Sequence, residues 1–125
     1  MIKLYKTQHE YDTDEFVNGA SSIGAGITVA FSGGKLVVET AQPQFVTLEA
    51  CDASEGRCLV HRIREDELYS TLLSADGSAL NVGDKVTINA SGYATATTTG
   101  GIFEIEEFKT ATQASGDVVV GKFVL

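Results

Sequence analysis

KVTINASGYATATTTGGIFEIEEF, Lys85–Phe108, is the stretch whose reading decides the fold class. Side chains alternate across a β-strand, so in KVTIN Val86 and Ile88 face one way while Lys85, Thr87 and Asn89 face the other. Ala90-Ser91-Gly92-Tyr93 then reverses the chain, with glycine supplying the positive φ that tight turns need. The small residues Ala94–Thr99 suit close strand packing or a flat face. In IFEIEEF the alternation is imperfect: Phe103, Ile105 and Glu107 share one face, and Ile102, Glu104, Glu106 and Phe108 share the other. Its inward face stays open at this level. No group in the stretch has evident chemistry, which marks it as scaffold.

Working outward, the same grammar recurs. Candidate strands are Ile27–Phe31, Lys35–Thr40, Phe45–Glu49, Cys58–Ile63, Lys85–Asn89, Tyr93–Thr97, Ile102–Phe108 and Val118–Val124. Ser32-Gly33-Gly34-Lys35 joins two of them as a tight hairpin, and Ala114-Ser115-Gly116-Asp117 precedes the last. Frequent turns between short strands predict an all-β domain, a small barrel or sandwich. Glu65–Ser74 fits either a short helix on Leu68 and Leu72 or a strand on Tyr69, Thr71 and Leu73. Gly19–Gly26, GASSIGAG, has no lysine after it and no helix pattern, so it reads as a loop and not as a nucleotide cradle. No linker divides the chain. The expected organisation is an arm over residues 1–16 and one domain over residues 17–125. Within that arm Ile2, Leu4 and Tyr5 read as an edge strand or as a strand lent to a partner.

At 125 residues the chain is long enough for one domain with a real core. Its formal net charge is −8, and its nine lysines and arginines are scattered. Phosphate binding needs them clustered, so nucleic acid is not an expected partner. No run approaches the roughly 18 apolar residues of a membrane span. The first residues have no apolar core of a secretory leader, so synthesis in a cytoplasm is expected.

Candidate chemistry is sparse. Cys51 and Cys58 flank the turn-rich DASEGR of a hairpin; free thiols are expected first, a disulfide second and a metal last. Cys58 and His61 lie three apart on a strand, hence on opposite faces, which separates a thiol from its base. His61 reads as an exposed strand histidine. C-x6-C-x2-H lacks the ligand count and spacing of structural zinc. DTDE and REDE lack the spacing of a calcium loop and read as solvated faces. Glu104/Glu106 and Asp12/Asp14 have nothing beside them to raise a pKa. The expectation is no catalytic residue, no metal and no cofactor.

The order Val82-Gly83-Asp84-Lys85-Val86, Ser91-Gly92, Tyr93–Thr99, Gly101-Ile102-Phe103-Glu104-Ile105, Gly116-Asp117-Val118-Val119-Val120 and Phe123-Val124-Leu125 resembles the capsid decoration (cement) proteins of tailed bacteriophages. The resemblance covers roughly Leu80–Leu125. It implies an SH3-like or β-tulip barrel with an extended N-terminal arm. It also implies a non-enzymatic virion protein, made in the host cytoplasm and bound outside the mature head. There a homotrimer would bridge and stabilise the major capsid protein. In such proteins an N-terminal arm pairs with the capsid, which makes Ile2, Leu4, Tyr5 and Tyr11 the candidate contacts. The alternatives are a head–tail connector or tail component, and a small-ligand-binding β-barrel.

Overall fold

The computed structural model describes residues 1–6, 14–19, 22–52 and 54–125. These contain eleven strands and no helix. In chain order they are β1 (Lys3–Lys6), β2 (Glu15–Asn18), β3 (Thr28–Ser32), β4 (Lys35–Val38), β5 (Phe45–Thr47), β6 (Arg57–Arg62), β7 (Leu68–Leu72), β8 (Lys85–Ile88), β9 (Ala94–Thr95), β10 (Phe103–Phe108) and β11 (Val118–Phe123). The expected all-β class holds, and each of the eight expected strands has a counterpart. Glu65–Ser74 takes its strand alternative: Tyr69, Thr71 and Leu73 are buried in alternation. Strand β2 lies across the boundary expected between residues 16 and 17.

The strands form two antiparallel sheets, ordered β1-β7-β11-β10-β8-β9 and β2-β6-β5-β3-β4. Neither closes as a barrel through a continuous ladder. Each is drawn round by one parallel bridge between its outer parts, Leu73 to Ala94 in the first sheet and Gly19 to Leu36 in the second. Each sheet thus curves round a core, and Val46 of the second sheet also enters the core of the first. The larger core gathers Tyr69, Val86, Ile88, Phe103, Ile105, Val119 and Phe123. The smaller gathers Val29, Leu36, Phe45, Cys51, Cys58 and Val60.

The register of β10 explains its imperfect pattern. Ile105 pairs with Gly121 but Glu107 pairs with Val120, so Glu106 is an extra residue on one strand. Such a bulge shifts the alternation by one. Phe103 and Ile105 point inward before it, and Phe108 packs on the same core after it. Opposite, Gly121 leaves room for the Phe103 ring and the Glu104 carbonyl. The rings of Tyr69, Phe123 and Phe103 then pack edge to face, at 5.0 and 5.4 Å between centroids.

Gly121→Ala puts a methyl group onto that ring and carbonyl. It should destabilise the fold by about 1–3 kcal/mol, as overpacking does. Gly24→Ala, whose added carbon meets nothing, should change stability by less than about 0.5 kcal/mol. Denaturant midpoints of the two variants check the contrast.

Candidate functional site

The expected contact residues fall into different places. Ile2 is 2% exposed and belongs to the larger core. Its amide donates to the Gly26 carbonyl at 3.1 Å. A side chain so buried serves its own chain, so Ile2 leaves the set of candidate contacts. Leu4 and Tyr5 are 37% and 38% exposed on β1. Tyr11 lies outside the described residues, as do His9, Asp12 and, within the glycine-rich loop, Ala20 and Ser21.

Strand β1 pairs with β7 along one side and stands at the end of its sheet. Edge strands expose unpaired backbone donors and acceptors. Here the edge is modified. The register slips between Leu4 and Lys6, which makes Tyr5 a bulge residue. The Lys109 ammonium donates to the Tyr5 hydroxyl at 2.6 Å and sits 4.7 Å from the ring centroid. Lys6 lies 5.7 Å from the same ring. Lys109 is held above the ordinary lysine range, first by the Tyr5 hydroxyl and then by Glu107. The edge therefore offers an aromatic ring framed by cations. Beside it lies a cavity of about 270 Å³ lined by Lys3, Ser70, Tyr93 and Val118 among others.

A second cluster was not expected. His61 is 6% exposed and Glu67 is 0% exposed, so neither the exposed histidine nor the solvated REDE run holds. Period two correctly sets His61 opposite Cys58, but the face of β6 bearing His61 is covered. Its Nδ1 lies 3.0 Å from Asp14 Oδ1, and its Nε2 lies 2.9 Å from Glu67 Oε1. The Tyr69 hydroxyl donates to the same Glu67 oxygen at 3.1 Å and accepts from the Arg64 amide at 3.3 Å. Burial alone would lower the His61 pKa; the hydrogen bonds to Glu67 and Asp14 outweigh it and hold the imidazole above its ordinary value. Burial pushes the Tyr69 hydroxyl up.

Cys51 and Cys58 form a disulfide, not the free thiols expected first. Asp52 to Arg57 closes the hairpin through a backbone bridge and brings the two cysteines together inside the smaller core. Gly19 packs directly on the Cys58 sulfur, where any side chain would collide. Among the described residues, no three histidine, cysteine or carboxylate side chains converge to hold a metal. The two ring nitrogens of His61 point to separate carboxylates, and both partners are acceptors. That geometry can clamp, but it presents no nucleophile.

No protein-family model and no curated protein sequence matches the chain. In structure the chain is similar to the N base of the head fiber gp8.5 in bacteriophage phi29. The likeness has a TM-score of 0.62 at 17% identity, over 90% of this chain and 93% of that one. At that identity the shared property is the fold.

Tyr69→Phe removes the hydroxyl shared by Glu67 and the Arg64 amide. It should destabilise the fold by about 1–2 kcal/mol, measured by urea denaturation. Reducing the disulfide, with its sequence separation of 7, should lower stability by about 2–3 kcal/mol. Midpoints with and without a thiol reductant check this, and Cys51→Ser/Cys58→Ser should be insensitive to the reductant.

Proposed function

We propose that this chain is a structural protein of a phage virion, attached to the outside of the head and acting without turnover. The observation that carries the reading is the fold shared with a phage head fiber base over nine-tenths of both chains. The sequence resemblance to capsid decoration proteins supports it from a separate direction. In this reading the protein binds the major capsid protein of the mature lattice, as a homotrimer, and stabilises the shell by bridging its subunits. Symmetry makes each contact repeated and simultaneous, so weak contacts suffice.

Strand β1 is the proposed contact, through Leu4 and Tyr5 and through its outer backbone edge. An incoming extended segment would add a strand there and meet the Tyr5 ring and its lysines. The likeness to a fiber base favours a second reading, in which this fold is the head-attaching part of a larger projection.

Co-sedimentation of the purified protein with expanded and unexpanded heads of its phage tests the proposal. Saturable binding to expanded heads is expected, and Leu4→Glu/Tyr5→Glu should weaken it at least tenfold while leaving thermal unfolding cooperative. Binding to neither form of head overturns the reading. Undiminished binding by the folded double variant removes β1 from it.

A further inference from the structure

His61 stands between two carboxylates and joins parts of both sheets. Asp14 continues the β2–β6 register, in which Glu15 pairs with Val60, so it lies across from His61 at the start of β2. Glu67 sits on the connection leading into β7. A neutral imidazole has one N–H and one bare nitrogen. Two carboxylates, both acceptors, would leave one of its contacts as lone pair against lone pair. Both contacts are hydrogen bonds only when the group holds one more proton. Glu67 Oε1 already accepts from the Tyr69 hydroxyl and faces His61 Nε2 as well. Among the described residues Glu67 Oε2 is buried without a partner, and placing the additional proton on the histidine makes both ring nitrogens donors, with Oε1 accepting from Nε2 and from the Tyr69 hydroxyl.

We propose that His61 is a doubly protonated clamp, donating from Nδ1 to Asp14 and from Nε2 to the buried Glu67, and that losing this proton releases the start of β2 from the junction of the two sheets. On deprotonation the proton passes to solvent, the imidazole keeps one N–H, and one carboxylate loses its donor. Asp14 is half exposed, whereas Glu67 is fully buried. Water can therefore replace the contact at Asp14, and that is the one released.

Among the described residues, other charged groups lie near the clamp. From β2, Glu15 accepts from the Arg62 guanidinium at 3.0 Å. On the connection, Glu65 accepts from the Leu125 amide, while Arg64 and Asp66 have interactions of their own. From β7 comes Tyr69. Strand β5 faces the clamp with Val46, across from His61 in the register, and carries no titratable side chain. The sign follows from the protonated state being favoured in the fold. The contribution to stability is complete below pH 6.5, the ordinary histidine value, and is lost as pH rises through the higher folded value.

Nitrogen-15 NMR of the histidine rings across pH 5–9 tests the clamp. His9→Gln identifies the signals of His61, since the chain has two histidines. At pH 6.5 both ring nitrogens of His61 should carry protons. The titration midpoint should lie above 6.5 in the wild type and fall by at least half a pH unit in Asp14→Asn. Hydrogen-exchange protection of the β2 amides in the wild type, corrected for intrinsic rate, should drop across the same interval. A single ring proton at pH 6.5, or an unchanged midpoint in Asp14→Asn, overturns the proposal. Unchanged β2 protection across the His61 titration overturns the release step. Asp14→Asn alters a half-exposed side chain, so the comparison does not depend on a variant that threatens the core.

Discussion

A strand buried on both faces must find all its hydrogen bonds sideways, because no water reaches it. Strand β5 is in that position: Phe45, Val46 and Thr47 are all buried. Alternation sends Phe45 into the smaller core and Val46 into the larger one. Flanking strands β3 and β6 and the loop before β3 take its backbone groups, with Thr47 exchanging bonds with Ile27 and Gly26. The Thr47 hydroxyl ties the loop again, donating to the Gly24 carbonyl at 2.7 Å. Three residues thus form the common wall of two cores, and neither core can relax without disturbing the other.

That wall organises distant parts of the chain. Gly26, held by Thr47, accepts in turn from the Ile2 amide. The turn at Gly92 closes on the same place: its φ is 81°, and an added carbon would strike the Gly26 carbonyl. The chain start, the glycine-rich loop and the turn after β8 therefore meet at one point. Glycine is required there for close approach of backbone to backbone, which a loop reading of GASSIGAG did not reveal.

Most of the fold was legible because strand pattern and turn chemistry are local. Val86 and Ile88 faced the core as their spacing said, and Ser91-Gly92 made its turn. The failures share one cause, that a second layer is invisible in a single strand's alternation. EFVN carries too little contrast to announce β2; its partner β6 makes it a strand. Leu68–Leu72 reads two ways until β1 and β11 pair with it. IFEIEEF hides a bulge, since one extra residue looks like noise without the partner's register. His61 was placed on the correct face of β6, but nothing local said that Glu67, inside an acidic run, would cover it. Asp14 meets His61 only through the β2–β6 register. The disulfide depended on the Asp52–Arg57 closure, which adds geometry to a spacing that left three alternatives open.

Charge and surface follow the same division between body and edge. The formal charge is −8. Of the surface cations, Arg57 pairs with Glu55, Arg62 with Glu15, Lys109 with Glu107 and Lys122 with Glu106. Pairing of this kind is worth little in stability, but it spreads the cations and leaves no basic face on these strands. Strand β1 differs: Lys3 and Lys6 flank an exposed leucine and an aromatic ring within four residues. Lysines and a bulge at a sheet edge also discourage indiscriminate pairing. An edge guarded in this way admits a strand only if the partner supplies charge to match the lysines and a pocket for the ring. An acidic body would meanwhile repel other copies approaching at random. A selective edge and a repellent body thus follow from one distribution of charge, with cations paired on the body and set beside an exposed ring on β1.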